Sequence, residues 1–299
     1  MPENTFETNR RKKLRCALIS IVASVGLIAL KLTFGIITNS VSILASAVDS
    51  FLDLSASSVN YFSIRKSVKP ADAEHKFGHG KAEGLAGLFQ CFIIGVSSLY
   101  LIYLSFERIF DGGELSSLDI GIAVIGFSIF ASLILARYIK RVADETDSIA
   151  LKADSLHFRV DVYANIGIVI GLIVIKVTGA ELIDPIISLA LAGLILWTAK
   201  DIVLQSIDIL MDRELPEHIV KDIEEVIFKY RPSVKSYHKM RTRNAGSKKF
   251  IEFHLVLDHT LSFVRSHEIA EEIIKEIETQ IPGSELTVHV DPDQHPDYS

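Results

Sequence analysis

Six long stretches of mostly apolar residues follow one another through the first 213 residues of the chain. A helix needs about 20 such residues to cross the hydrocarbon core of a bilayer. Each stretch satisfies that length, so the pattern predicts six transmembrane helices. We place them at 14–38, 41–65, 82–110, 118–142, 149–178 and 183–210.

Lysine and arginine residues are concentrated in alternate connections between these stretches. They occur before the first stretch, in residues 10–15, and again in residues 65–81 and 137–141, whereas the other connections are short and bland or acidic. Positively charged loops remain on the cytoplasmic side. We therefore predict a multi-pass protein of the cell inner (plasma) membrane with both termini in the cytoplasm, and we expect no cleavable signal peptide.

The pattern changes after residue 213 to that of a small soluble domain. Helical spacing of apolar residues in 217–230 is followed by alternation in 235–243 and 250–257, a second amphipathic helix in 262–281 and a strand in 286–290. The order α-β-β-α-β predicts a compact sheet with helices on one face. The domains we predict are a cytoplasmic N-terminal segment (1–13), a six-helix transmembrane domain (14–212), a cytoplasmic metal-binding and dimerisation domain (213–292) and a tail (293–299).

Composition and charge exclude several classes of protein. The chain has 299 residues, 49% of them hydrophobic, and a net charge of −6, which excludes a disordered protein and argues against a nucleic-acid partner because no basic face is expected. Residues 214–299 hold 16 acidic and 11 basic side chains, so this part accounts for −5 of the charge. The two cysteines, Cys16 and Cys91, lie inside apolar stretches, which argues against a disulfide-stapled secreted module.

Two pairs of ionisable residues lie in the middle of predicted transmembrane helices. Asp49 and Asp53 are in the second helix, His157 and Asp161 are in the fifth, and each pair has the spacing i, i+4 that places both side chains on one helix face. Ionisable groups in a membrane are costly and usually functional. Three carboxylates and one imidazole suit a tetrahedral divalent ion, with Zn²⁺ the natural candidate. The alternative is that these polar residues only hold helices together.

The second connection contains another group of candidate ligands. Asp72, His75 and His79 have a spacing compatible with one metal ion, and the neighbouring glycines Gly78 and Gly80 allow the loop to fold around it. The alternative is a solvated loop with unrelated histidines.

Seven of the ten histidines follow residue 213. His238, His254 and His289 lie on predicted strands, and Asp291 shares a strand face with His289 because alternate residues point the same way. Their convergence on the open face of the sheet would form a metal site, whereas the alternative is a set of surface histidines. We interpret His218 and His259 as ordinary surface residues, and Arg159 and His295 receive no assignment.

Taken together, these residues resemble the cation diffusion facilitator family, specifically its bacterial zinc/iron-type efflux transporters. The resemblance rests on the Asp49/Asp53 and His157/Asp161 pairs, the stretch from Lys76 to Glu83, and the α-β-β-α-β tail, and it extends from the first helix to Asp291. It implies a cytoplasmic α+β domain of ferredoxin-like or metallochaperone-like fold behind a polytopic α-helical membrane domain.

The resemblance also implies roles for individual residues. The transport site would comprise Asp49, Asp53, His157 and Asp161, the loop site Asp72, His75 and His79, and a binuclear cytoplasmic site His238, His254, His267, His289 and Asp291. Family members form homodimers, and Lys81 and Asp212 match positions of a charge interlock in that dimer. An aspartate at position 49, where many eukaryotic zinc transporters have histidine, relaxes the metal choice toward Fe²⁺ or Cd²⁺.

The function that these patterns favour is exchange of a divalent metal ion for protons by alternating access, exporting metal from the cytoplasm. Metal ligands must be deprotonated, so metal binding releases protons, and an imidazole titrates near physiological pH. Gly167 and Gly171 would permit close helix contact and sliding. We expect no organic cofactor and no catalytic site. The alternatives are a membrane-anchored metal sensor, an intramembrane metal-dependent hydrolase and a passive channel.

Overall fold

A computed structural model of the chain describes residues 2–37, 41–111, 121–178, 183–246 and 248–293. Its first part consists of long helices. In the described residues, the six helices are α1 (Pro2–Ile37), α2 (Val41–Ser67), α3 (Ala82–Asp111), α4 (Gly121–Thr146), α5 (Ile149–Thr178) and α6 (Ile183–Leu210).

Every predicted transmembrane stretch coincides with one of these helices. The largest difference is at α1, which begins at Pro2 instead of residue 14 because the basic segment at 10–15 continues the helix. Of the helical segments described, three are long and apolar enough to span a membrane by length and composition alone: Glu7–Phe34, Ala82–Glu107 and Pro185–Leu210.

The helices pack around α5, which contacts α2, α3 and α4. A core of small and branched apolar residues joins α1 and α5 to their neighbours, and it includes Cys16, Ile64, Ile139 and Leu151. Gly167 lies so close to Leu191 of α6 that an added Cβ would collide with that side chain, so the close contact expected at this glycine is present. The packing around Gly171 lies outside the described residues.

A buried ion pair connects four of these helices. Lys13 Nζ of α1 lies 2.6 Å from Glu83 Oε1 of α3, and both side chains are 1% exposed. The same carboxylate accepts hydrogen bonds from Ser67 Oγ of α2, at 3.2 Å, and from Ser148 Oγ just before α5, at 2.6 Å. Because the surroundings exclude water, the hydrogen bonds to hydroxyl groups are needed to satisfy the oxygens that the lysine leaves open.

The residues from Asp208 onward belong to a separate compact unit, distinct from Arg10–Ile207. Its elements are α7 (Glu217–Phe228), β1 (Val234–Ala245), β2 (Lys248–Leu257), α8 (Phe263–Gln280) and β3 (Ser284–Pro292). The predicted order α-β-β-α-β is confirmed.

The sheet of this unit has the order β1-β2-β3, with β1 antiparallel and β3 parallel to β2. Alternate residues of β2, including Ile251 and Phe253, are buried in one core with Ile223 of α7 and Ile273 of α8. The alternation leaves the side chains of the intervening positions, His254 among them, on the opposite face of the sheet.

Candidate metal centres

The transmembrane unit brings together ligands from α2 and α5. His157 Nε2 lies 3.0 Å from Asp53 Oδ1, with exposed side-chain fractions of 6% and 23%. Asp161 completes the group, since one ligand atom from each of the three residues lies within 4.8 Å of the others. Asp49 occupies α2 one turn before Asp53, and its side chain lies outside the described residues.

This transmembrane cluster has more carboxylates than cationic groups. Within the described residues, the neighbouring Arg159 is half-buried and its Nε has no hydrogen-bond acceptor. Two carboxylates next to one imidazole repel each other unless protons or a cation lie between them. Carboxylate oxygens and a neutral imidazole nitrogen are ligands that Zn²⁺ accepts at tetrahedral sites. The cluster can therefore exchange protons for a divalent cation.

Lys31 and Asp154 are ionisable residues inside predicted transmembrane helices that the sequence analysis did not single out. Lys31 of α1 donates a hydrogen bond to Ser50 Oγ at 2.7 Å, and Asp154 of α5 is fully buried one turn before His157. Both could have been found by the rule that singled out Asp53, because an ionisable residue within any membrane helix is a candidate for function.

The connection between α2 and α3 brings its three predicted ligands together as well. One ligand atom from each of Asp72, His75 and His79 lies within 4.8 Å of the others, and the two imidazole rings are 4.4 Å apart between centroids. Gly78 adopts a φ of +78°, a conformation that residues with a side chain rarely adopt, so the glycine allows the chain to reverse here. This loop cluster has the composition of a divalent-metal site.

Asp72 also organises the backbone of the loop. Its Oδ1 accepts hydrogen bonds from the backbone N–H groups of His75, at 2.7 Å, and Glu74, at 3.0 Å. The hydrogen bond from His75 lowers the pKa of the Asp72 carboxyl below its usual range. The residue therefore remains an anionic ligand at pH values where an ordinary aspartate begins to take up a proton.

Asp72→Asn separates the charge of this residue from its role in the turn. An asparagine oxygen can still accept the two backbone hydrogen bonds, but it is a neutral and weaker metal ligand, so we expect Zn²⁺ affinity at the loop to fall by roughly tenfold or more. Calorimetric titration of the full chain in detergent measures this change. Glu74→Gln, an exposed neighbour, is the matched control, and an equal loss in that variant would contradict the assignment of Asp72 as a ligand.

The register of the sheet places three histidines in one row. His238 pairs with His254 across β1 and β2, and His254 pairs with His289 across β2 and β3. The ring centroids are 4.9 Å apart in the first pair and 4.7 Å in the second. The convergence of these histidines on one face is therefore present in the structure.

Asp291 faces all three histidines of this cytoplasmic cluster. Its Oδ2 lies 2.8 Å from His254 Nδ1 and 3.6 Å from His238 Nε2, and its Oδ1 lies 3.2 Å from His289 Nε2. Burial, together with the nearby imidazole of His254, lowers the pKa of His238, which favours the neutral ring that binds metal. His267 lies apart from the cluster but lines a cavity of about 220 Å³ that Asp291 also lines.

Asp291→Asn tests whether this carboxylate is the common ligand. We expect Zn²⁺ affinity of the cytoplasmic cluster to fall by roughly tenfold or more, because the two oxygens of Asp291 face every histidine in the row. Equilibrium dialysis of the full chain with Zn²⁺ measures the loss. Glu285→Gln, on the same strand but paired with Lys248, should bind as the unmodified chain does, and unchanged binding in Asp291→Asn would show that the carboxylate is not a ligand.

A further group forms around His259, which the sequence analysis interpreted as an ordinary surface residue. One ligand atom from each of Asp258, His259 and Asp293 lies within 4.8 Å of the others. Asp258 already pairs with Lys235 Nζ at 2.8 Å, and Asp293 Oδ1 accepts hydrogen bonds from the backbone and ring of His259. These contacts join the ends of β2 and β3, so we interpret the group as a structural link.

Lys81 and Asp212, the two positions of the expected charge interlock, lie away from the clusters. Asp212 lies 3.3 Å from Arg243 Nη1 of β1, so it has a partner within its own unit. Lys81 is half-buried in the turn that leads into α3, and its pairing with Asp212 across a dimer stays a prediction. His295 lies outside the described residues.

The chain matches two family models over nearly its whole length. Residues 17–211 match the cation efflux transmembrane domain, and residues 215–293 match the cytoplasmic domain of the cation efflux protein. Together they span the helical unit and the α-β-β-α-β unit described above.

Relatives with the same arrangement are known from several bacteria. The cation-efflux pump FieF of Serratia proteamaculans (strain 568) is 38% identical over 255 residues, which is 85% of this chain and 84% of that protein. FieF of Salmonella arizonae (strain ATCC BAA-731 / CDC346-86 / RSK2980) is 34% identical over 286 residues, which is 96% of this chain and 95% of that protein. The metal-bound C-terminal domain of the CzcD transporter from Thermotoga maritima is 31% identical over 26% of this chain and 92% of its own, with a TM-score of 0.25.

The helical unit, the sheet domain and the sequence matches all agree with the resemblance inferred from the ionisable residues. A cation efflux transmembrane domain precedes a cytoplasmic domain in which candidate metal ligands lie together. The chain belongs to the cation efflux family, also called the cation diffusion facilitators, and is a cation efflux transporter.

Proposed function

We propose that this transporter exports a divalent cation, Zn²⁺ foremost, from the cytoplasm in exchange for protons. The observation that carries the proposal is the transmembrane cluster, in which His157 Nε2 of α5 lies 3.0 Å from Asp53 Oδ1 of α2 and Asp161 lies beside them. Carboxylate and imidazole ligands bind metal in their deprotonated forms, so each cation that binds displaces protons.

The proposed cycle alternates the exposure of this cluster between the two sides of the membrane. When the cluster faces the cytoplasm, the cation displaces protons from Asp53, His157 and Asp161. When it faces the more acidic exterior, protons return to the same atoms and the cation leaves. The protonated cluster is close to neutral, which lowers the cost of moving it through the low-dielectric membrane.

The donor set supports Zn²⁺ over the hard cations Mg²⁺ and Ca²⁺. One imidazole nitrogen with carboxylate oxygens suits tetrahedral Zn²⁺, whereas Mg²⁺ and Ca²⁺ favour oxygen ligands alone. Such a site also accepts Fe²⁺ or Cd²⁺, because this donor set by itself does not discriminate among these divalent ions, whose selection depends on geometry, ligand type and metal availability.

The cytoplasmic cluster around Asp291 supports a second part of the proposal. We infer that the chain forms a homodimer through its cytoplasmic domains and that metal bound to His238, His254, His289 and Asp291, with His267, favours the dimer. Any ligand that binds the assembled form better than the separate one shifts the equilibrium toward it. The loop cluster of Asp72, His75 and His79 would bind metal at the membrane surface.

The test of the exchange uses purified protein in vesicles that contain one dye for Zn²⁺ and one for pH. A Zn²⁺ gradient should drive Zn²⁺ in one direction and protons in the other, and an imposed pH gradient should drive Zn²⁺ uphill. Zn²⁺ flux without an opposing proton flux would reject the exchange and leave a passive channel, whereas no flux at all would favour a membrane-anchored sensor.

A further inference from the structure

Beyond the three clusters, the transmembrane unit contains a group of buried oxygen atoms near Asp154. The carboxylate of Asp154 faces Ser20 of α1 and Ser57 and Asn60 of α2. Ser57 Oγ donates to Asp154 Oδ1 at 3.4 Å, and Ser20 Oγ lies 3.3 Å from Ser57 Oγ. We call these four residues the inner oxygen cluster.

Every member of the inner oxygen cluster is almost completely buried. Asp154 and Ser20 are 0% exposed, Ser57 is 1% exposed, and Asn60 is 2% exposed. A buried carboxylate is normally paired with a cation or fully hydrogen-bonded, because desolvation of an unpaired charge costs several kcal/mol. The imidazole of His157 acts electrostatically on the Asp154 carboxylate, but its Nε2 lies 3.0 Å from Asp53 Oδ1.

Two oxygen atoms of this cluster have no hydrogen-bond partner among the residues that the structure describes. They are Asp154 Oδ2 and Asn60 Oδ1, both buried. Native proteins leave few buried polar atoms unsatisfied, so each of these atoms is expected to have a partner that the neighbouring side chains do not supply. Two acceptor oxygens on the neighbouring helices α2 and α5, one of them from a carboxylate, are the kind of partners that a cation would take.

The inner oxygen cluster lies next to the transmembrane cluster along both α2 and α5. Asp154 precedes His157 by three residues on α5, a displacement of about 4.5 Å along the helix. Ser57 and Asn60 follow Asp53 by four and seven residues on α2, so they continue the face of that helix. Both helices lead from there toward Ser67 and Ser148, which lie at the ends of the two connections predicted to face the cytoplasm.

We propose that the inner oxygen cluster is a second, weaker cation site that the transported divalent cation occupies between the cytoplasm and the transmembrane cluster. This inference rests on the proposed function. One carboxylate with neutral amide and hydroxyl oxygens offers less charge than the transmembrane cluster, which has at least two carboxylates and an imidazole. A site on a conduction path must bind well enough to admit the ion and weakly enough to release it.

Asp154→Asn is the first test, because the amide preserves the size of the side chain and removes its charge. Initial rates of Zn²⁺ uptake into vesicles that expose the cytoplasmic face should show a half-saturating concentration about tenfold higher, with the rate at saturation within twofold of the unmodified chain. Asp144→Asn, an exposed aspartate of α4, is the matched control and should leave both quantities unchanged.

A binding measurement keeps this test independent of transport. With Asp53, Asp72 and Asp291 all changed to asparagine, the three clusters bind Zn²⁺ more weakly, and adding Asp154→Asn should lower the binding measured by equilibrium dialysis by one further equivalent. If the vesicles transport nothing while this equivalent is present, the proposed function fails and the site stands.

Ser57→Ala covers the case in which Asp154→Asn fails to fold. It removes one hydroxyl from the cluster and should raise the half-saturating concentration about threefold, whereas Ser58→Ala, whose hydroxyl bonds to the Leu54 carbonyl, should not. Unchanged half-saturation in the cluster variants together with no lost equivalent would overturn the proposal. The residues would then serve only as polar contacts between helices, of the kind that stabilise many membrane bundles.

Discussion

Asp53→Asn is expected to abolish metal transport while leaving the protein folded. The change keeps the size of the side chain but replaces the carboxylate whose Oδ1 lies 3.0 Å from His157 Nε2. Without that anion the transmembrane cluster loses a ligand for the cation and an acceptor for the proton, so both halves of the exchange fail. We expect initial Zn²⁺ flux in vesicles to fall at least about a hundredfold, a loss of roughly 2.7 kcal/mol in effective stabilisation.

The control for this variant is Asp201→Asn, which makes the same chemical change at an exposed aspartate of α6. It should transport at the unmodified rate. The midpoint of thermal unfolding, measured for both variants in detergent, shows whether a loss of transport comes from loss of the site or from loss of the fold. Retention of more than about a tenth of the flux in Asp53→Asn would show that the cation takes another route.

Glu83→Gln is expected to cause the largest loss of stability. Glu83 is 1% exposed and neutralises Lys13, so the amide leaves a buried ammonium without its counter-charge. Removing one partner of a buried ion pair typically costs about 3–5 kcal/mol. For a unit of this size such a loss lowers the midpoint of thermal unfolding on the order of 10 °C.

The double variant Lys13→Met with Glu83→Gln tests the cause of that loss. It removes both charges, so no unpaired buried charge remains, and the glutamine amide can still bond to the hydroxyls of Ser67 and Ser148. Most of the lost stability should therefore return. Glu145→Gln, which breaks the exposed pair of Glu145 with Lys12, is the matched control and should not change the midpoint measurably. A double variant as unstable as Glu83→Gln alone would mean that the glutamate acts through Ser67 and Ser148 instead of Lys13.

Much of the fold could be predicted because it follows from hydropathy and periodicity. The six long apolar stretches correspond to helices, and the alternation in 250–257 correctly predicted the strand β2. The start of α1 could not be predicted in this way, since lysine and arginine are good helix formers. Hydropathy marks where a membrane segment ends, whereas the helix continues past it.

The candidate site was predictable only as far as single helices and strands. The i, i+4 spacing predicted that Asp49 and Asp53 share one helix face and that His157 and Asp161 share another. The contact between α2 and α5 depends on the tertiary structure, so the spacing alone could not predict it. The row of His238, His254 and His289 depends on strand register, and a bulge between His238 and Arg241, where Lys239 has a φ of +52°, shifts that register. Nothing in the local sequence reveals such a shift.

Asp154, in contrast, could have been recognised as a candidate functional residue from the sequence alone. It lies inside a predicted membrane helix, about one helical turn before His157, but it is also only five residues from the start of that helix. Only its complete burial and unpaired oxygen distinguish it from an ordinary residue at the membrane surface.

The measurement that tests the central claim most directly is anomalous X-ray scattering from crystals grown with Zn²⁺. The claim is that the transported ion binds between α2 and α5. It predicts a zinc peak within about 2.0–2.2 Å of Asp53, His157 and Asp161 ligand atoms, absent from crystals of Asp53→Asn. Zinc peaks confined to the loop and cytoplasmic clusters, with none between α2 and α5, would contradict it.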